Sequence, residues 1–255
     1  MRNFSSTRGR LAALAYAAAT LGLPAAAVAA EPGAAPPAKG PRIEITQRDL
    51  DASNKKVEEV YGALVSMWTK QFQQIGERFV APHIAAYEGG ARTSCGFIGS
   101  NNAEYCPNNN TIYFDDIFVA GMEKSAANAL GTDGDMAGLG IIAHEMGHAV
   151  AIQLGHESRS SYENESTADC LAGAFTEQSG KDGSLEKGDI EEAFYGMSLA
   201  GDPTPQPTGN RRVDAMIQAR LARQSHGTKE QRTQNFRTGL DGGPAACLDE
   251  FAGAH

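Results

Sequence analysis

The segment His144-Glu145-Met146-Gly147-His148 sets two histidines four residues apart around a glutamate. On a helix, residues i and i+4 stand one turn apart on the same face, so the two imidazoles can converge on one cation. Zinc suits such a pair, because it accepts neutral imidazole and keeps an open coordination position in catalytic sites. Glu145 lies beside the first histidine, where it can deprotonate a metal-bound water without being a ligand itself. The surrounding run from Ala137 to Leu154 is apolar and has the character of a buried helix. Burying three such side chains with no ion among them would be costly. The expected chemistry is hydrolysis at a single Zn2+ per chain.

A catalytic zinc usually has three protein ligands. After a turn over residues 155–161, a second helical stretch runs from Tyr162 to Phe175, with Ser160 and Glu163 spaced as a capping box at its start. Glu165 and Asp169 share a face of that helix. Glu165 is the candidate third ligand. Asp169 then fits behind the metal, accepting a hydrogen bond from the far nitrogen of a zinc-bound histidine. Two antiparallel helices joined by a short turn can bring His144, His148 and Glu165 to one point. Glu163, Glu157 and His156 are the alternatives, and each also reads as an ordinary solvated residue of the turn.

These helices need a scaffold. Val57, Val60, Tyr61, Leu64, Trp68, Phe72 and Ile75 recur at helical spacing and mark a long amphipathic helix facing a core. Residues 93–98 and 111–115 have extended character, with Asn108-Asn109-Asn110 as a turn signal between them. The expectation is a small antiparallel hairpin. Its 111–115 strand is a candidate edge for holding an extended peptide, with a purely structural hairpin as the alternative. Gly131-Thr132-Asp133-Gly134-Asp135 breaks the chain and offers an N-cap to the H-E-x-x-H helix. Thr228-Lys229-Glu230-Gln231 is a capping box for a short helix expected to stop at Gly239. The chain therefore reads as α+β, mostly helical, with a small antiparallel sheet.

The strings Ile142-Ala143-His144-Glu145-Met146-Gly147-His148 and Glu165-Ser166-Thr167-Ala168-Asp169-Cys170-Leu171-Ala172-Gly173 resemble the bacterial putative neutral zinc metallopeptidase family. Cys95-Gly96, Tyr105-Cys106-Pro107 and Thr111-Ile112-Tyr113-Phe114-Asp115 resemble its paired cysteines and strand. His226-Gly227-Thr228, Gln231-Arg232, Phe236-Arg237-Thr238-Gly239 and Cys247 resemble its C-terminal block. The likeness covers about residues 55 to 251. The resemblance implies a single zincin-like metallopeptidase domain acting on peptides or proteins. There are departures. Ala149, Val150 and Ala151 stand where the family's motif usually continues with a histidine and a glutamine, and residues 201–212 match poorly.

Four cysteines allow three pairings. Cys95 with Cys106 would close a short loop, and Cys170 with Cys247 would pin the C-terminal segment to the ligand helix. The rival for Cys170 is a thiol acting near the metal beside Asp169. His226 heads a turn into the C-terminal helix and is the candidate stabiliser of the oxyanion, with Tyr113 and Tyr162 as rivals.

Residues 1–30 carry Arg2, Arg8 and Arg10, an apolar stretch and Ala27-Val28-Ala29, which together read as a secretory signal peptide. An uncleaved anchor is the alternative. Residues 31–42, rich in Pro, Ala and Gly, read as a flexible tether, and residues 43–255 as the metallopeptidase domain. The whole chain carries 22 basic and 31 acidic residues; residues 1–30 hold three of the basic ones and no acid, leaving 19 against 31, a net of −12. So acidic a domain is a poor partner for nucleic acid or anionic lipid. The expected protein is a secreted or periplasmic zinc peptidase. Two other readings are a metal-bearing envelope binding protein and a zinc amidase acting on cell-wall peptide. The intact Glu145 argues against a mere binder.

Overall fold

Thr46 opens the first helix. Its hydroxyl accepts the Asp49 N–H, and the Asp49 carboxylate accepts the Thr46 N–H, a complete capping box. Helix α1 (Gln47–Gln74) thus begins well before the apolar stripe that marks it in the sequence, and it buries Ser53, Val57, Leu64, Met67, Trp68 and Phe72. The computed structural model describes residues 43–253. The expected signal peptide and tether, residues 1–42, lie outside them.

Five strands follow: β1 (His83–Tyr87), β2 (Gly90–Thr93), β3 (Gly96–Gly99), β4 (Ala103–Cys106) and β5 (Thr111–Asp115). The order β1-β5-β4 makes one sheet, with β1 parallel and β4 antiparallel to β5. β2 and β3 form a separate antiparallel pair. The expected hairpin between residues 93–98 and 111–115 is therefore not formed. The Asn108–Asn110 turn is short, so it closes on the residues just before it, and β5 takes β4 as its partner. The Cys95–Cys106 disulfide joins the β2–β3 turn to the end of β4.

Asp115 caps α2 (Asp116–Leu130) by accepting the Ile117 N–H. Then come α3 (Asp135–Gln153), α4 (Ser161–Lys181), α5 (Asp189–Leu199), α6 (Arg211–Gln224) and α7 (Lys229–Gly242), with two short 3-10 turns over Pro244–Ala246 and Asp249–Gly253. α3 carries H-E-x-x-H and is buried on nearly all sides, packed by α1, α2, α4 and α5. A helix so apolar around its whole circumference needs cover on every side, which these four helices supply.

Two readings of helix ends are corrected. The 131–135 segment gives α3 no side-chain cap: its N-cap is Gly134, and the Met136 N–H donates instead to Glu192 Oε2 on α5. Asp133 and Asp135 turn to Lys56. Gly239 does not end α7, which continues to Gly242. Gly239 and Gly173 mark the crossing of α7 and α4, where an added Cβ would fall 1.8 Å from the Cys170 carbonyl and 1.9 Å from the Phe236 carbonyl respectively. The Cys170–Cys247 disulfide ties the segment after α7 to α4, and closing a loop with 77 residues of separation stabilises by about 4.5 kcal/mol in the chain-entropy view. The domain is α+β, mostly helical, with a small mixed sheet.

Candidate metal centre

The two helices that carry the motif meet at Gly147. An added Cβ there would lie 2.8 Å from the Ala168 carbonyl and 2.9 Å from its Cα. The missing side chain lets α4 pass close to α3 and carries Glu165, one turn before Ala168, up to the histidines. His144 Nε2 and His148 Nε2 face each other at 3.1 Å. Glu165 Oε2 is 3.1 Å from His144 Nε2, and its Oε1 is 3.5 Å from His148 Nε2. Zinc–ligand bonds of about 2.0–2.1 Å in a tetrahedron set donor atoms about 3.3 Å apart. The three donor atoms are thus spaced to fit a zinc ion.

Behind them, His144 Nδ1 lies 2.9 Å from Asp169 Oδ1, a carboxylate placed to take its proton, and 3.2 Å from Arg232 Nη2, while Nε2 faces the shared point. Asp169 is fully buried and also accepts from Arg232, Nη2 at 2.6 Å and Nε at 3.1 and 3.2 Å. The guanidinium donates a further bond to the Ala200 carbonyl. Burial and the Arg232 charge oppose a proton on His144, yet Asp169 and Glu165 outweigh them and push its pKa up to about 10. Burial likewise opposes ionisation of Glu165, but His144 and His148 hold it well below the usual carboxylate range. Burial opposes the Arg232 charge as well, and Asp169 foremost, with Glu165 and Glu145, more than restores it. The pocket therefore attracts positive charge at the point between the two Nε2 atoms, where a cation can replace a proton.

Glu145 is buried beside this point, and its Oε2 accepts the Tyr105 N–H at 2.7 Å. That bond fixes the carboxylate. It also shows that the Tyr105 N–H turns away from β5, as does that of Ala103, since directions alternate along a strand. The open edge of the sheet at the site is β4. The expected edge, Thr111–Asp115, is the central strand, flanked by β1 and β4. A cleft of about 590 Å³ runs past Ala103, Tyr105, Glu145, both histidines, Glu165 and Arg232, with Phe118, Ile141, Ile152 and Met197 as its apolar parts.

His226 also lines this cleft, at its exposed rim: its side chain is 63% accessible, with Nδ1 3.6 Å from Asp202 Oδ1. Tyr113 is held outside by Asn109, and Tyr162 packs on Gly227. Of the alternative ligands, His156 pairs with Glu250 at 2.6 Å, Glu163 bonds Ser158, and Glu157 only borders the cleft. Ser160 does cap α4, accepting the Glu163 N–H, but the Glu163 carboxylate takes the Ser158 hydroxyl, so the expected capping box is not closed. Cys170 is bonded to Cys247, so it offers no thiol to the metal. Two parts of the site are missed by sequence reasoning. Arg232 is legible only as one residue of the C-terminal block, and the β4 edge, four residues long, is too short to show a strand period.

A family model described as putative neutral zinc metallopeptidase matches residues 10–251. Two curated relatives, each named uncharacterized protein YpfJ, come from Escherichia coli strain K12 and from an Escherichia coli O6:H1 strain. Each is 33% identical over 216 residues, covering 77% of this chain and 71% of the relative. No solved structure matches.

Proposed function

The chain belongs to the putative neutral zinc metallopeptidase family, and from that premise we propose an exported zinc peptidase that uses Glu145 as general base. The observation that carries this reading is the convergence of the His144, His148 and Glu165 donor atoms at 3.1–3.5 Å, with the Glu145 carboxylate beside them in one cleft. His144, His148 and Glu165 would hold one zinc ion, which when bound supplies Lewis acidity to the scissile carbonyl and to the attacking water. Glu145 takes a proton from that water and delivers it to the leaving amine, and the Tyr105 N–H keeps it oriented for both transfers. Asp169, steadied by Arg232, keeps the His144 ring in the required tautomer. The open edge of β4 lies along the cleft, where a peptide can add as an extended strand. His226 on the rim is the candidate donor to the oxygen that gains charge.

Export rests on the signal-like residues 1–30, and the two disulfides suit an oxidising compartment. No helix of the described residues is long and apolar enough to cross a membrane. The test is digestion of an unbiased peptide library by purified protein. Wild type should cleave it. Glu145→Gln should keep its zinc and lose activity by a few orders of magnitude. His226→Ala should keep zinc and lower kcat about a hundredfold with KM little changed. A Glu145→Gln protein with full activity would sink the mechanism. A wild type that cleaves only cell-wall peptides would make it an amidase.

A further inference from the structure

Away from the cleft, four carboxylates crowd one point. Asp133 precedes α3, Asp135 begins it, and Asp189 and Glu192 lie in the first turn of α5; one oxygen from each falls within 4.8 Å of the others. Each of these side chains is anchored by one oxygen. Asp133 Oδ2 and Asp135 Oδ2 take Lys56 Nζ at 3.0 and 2.7 Å. Asp189 Oδ2 accepts the Glu186 N–H at 2.6 Å, and Glu192 Oε2 accepts the Met136 N–H at 3.0 Å. The second oxygens of three of them, Asp135 Oδ1, Asp189 Oδ1 and Glu192 Oε1, are buried with no hydrogen-bond partner, as is the hydroxyl of nearby Thr132.

Such orphans are rare and costly in folded proteins. Glu192 is 0% and Asp189 4% exposed. Lys56 forms an ion pair with neither of them. One ammonium therefore faces four acids. Lys56 answers the two carboxylates at the start of α3, whereas the two buried ones on α5, each with an orphaned oxygen, have no cation paired to them among the described residues.

We propose that Asp133, Asp135, Asp189 and Glu192 form a second metal site, built for calcium, that ties the start of α3 to the start of α5. The donor set is all oxygen, with no histidine or cysteine, which suits a hard cation rather than zinc. Four carboxylates, able to bind through one or both oxygens, with water completing the shell, match the six to eight ligands calcium takes more readily than the strict octahedron of magnesium. Asp135 and Asp189 also border a cleft of about 690 Å³, which gives the ion a way in. The site bears on the first one through its helices. α3 holds His144 and His148, while α5 ends near Ala200, whose carbonyl accepts from Arg232.

The test is calorimetric titration of the zinc-loaded full chain with calcium chloride in metal-stripped buffer, followed by thermal unfolding. The expected result is a calcium ion bound at this site and a Tm rise of roughly 5–10 °C at a hundredfold excess over Kd. Magnesium should bind more weakly. Glu192→Gln should abolish the calcium response and Asp133→Asn should weaken it at least tenfold, with zinc content unchanged in both. Asp133 is exposed, so its variant decides the matter if Glu192→Gln does not fold. Three outcomes overturn the proposal: no response at about 10 mM calcium, above the range of weak extracellular modules; variants that bind as tightly as wild type; or a response lost in His144→Ala. Magnesium binding as tightly as calcium overturns the choice of ion.

Discussion

Replacing Asp169 by leucine removes both carboxylate oxygens while keeping a similar volume, and it should damage two properties for separable reasons. Asp169 is fully buried and joins His144 Nδ1 at 2.9 Å to Arg232 at 2.6–3.2 Å. Without it the Arg232 guanidinium is left buried with the Ala200 carbonyl, the His144 ring at 3.2 Å and a distant Glu165 oxygen at 4.0 Å. Breaking a buried pair by removing one partner costs about 3–5 kcal/mol. The His144 Nδ1–H also loses its acceptor, so the ring is no longer held in the tautomer that presents Nε2. Loss of such a partner typically lowers metal affinity by about 10- to 100-fold. Stability should be read by denaturant unfolding of metal-free protein, and zinc affinity by competition with a chromogenic chelator. The double variant Asp169→Leu, Arg232→Met separates the effects. It removes both charges, so most of the stability should return. Zinc affinity should stay low, because His144 still has no acceptor. Wild-type zinc affinity in Asp169→Leu would refute the role given to Asp169. Recovery of zinc affinity together with stability would show that the metal loss only reflected a damaged fold.

Gly147→Ala should push α4 from α3 at the point where Glu165 joins the histidines; the expected result is a stability loss of roughly 1–3 kcal/mol and weaker zinc binding, measured by unfolding and chelator competition. Glu123 supplies a pH test. Burial raises its pKa to about 7 against the pull of Ser53 and Lys56, so the folded state holds a proton there that the unfolded chain releases near pH 4.5. Stability should therefore fall as pH rises from about 4.5 through 7, by on the order of 3 kcal/mol for this group. In calcium-free buffer Glu123→Gln should be more stable than wild type at pH 8 and no more stable at pH 4. A variant that tracks wild type at both pH values would remove Glu123 as the source.

What the sequence makes legible here depends on how far apart the cooperating residues lie along the chain. His144, Glu145 and His148 need only one helix to stand together, so residue type and spacing suffice. Glu165 and Asp169 need one helix more, and their four-residue interval states their relation. Arg232 is different. It stands 63 residues from the carboxylate it holds, and nothing beside it in the sequence distinguishes it from a surface arginine. The sheet fails to be legible for the same reason. The Asn108–Asn110 turn shows that a hairpin exists, but the pairing of β1 with β5 depends on what packs beneath them. Glycine misleads in a way of its own. Gly239 reads as a helix stop because glycine ends helices, yet its use is to admit α4, and only the partner helix decides between the two meanings. Asp133 and Asp135 mislead likewise. Read locally they are a break and a cap, and their possible chemistry emerges only when α5 brings Glu192 and Asp189 to face them. Helix N-termini brought together by packing can thus hold a site with no motif, whereas a site within one helix announces itself.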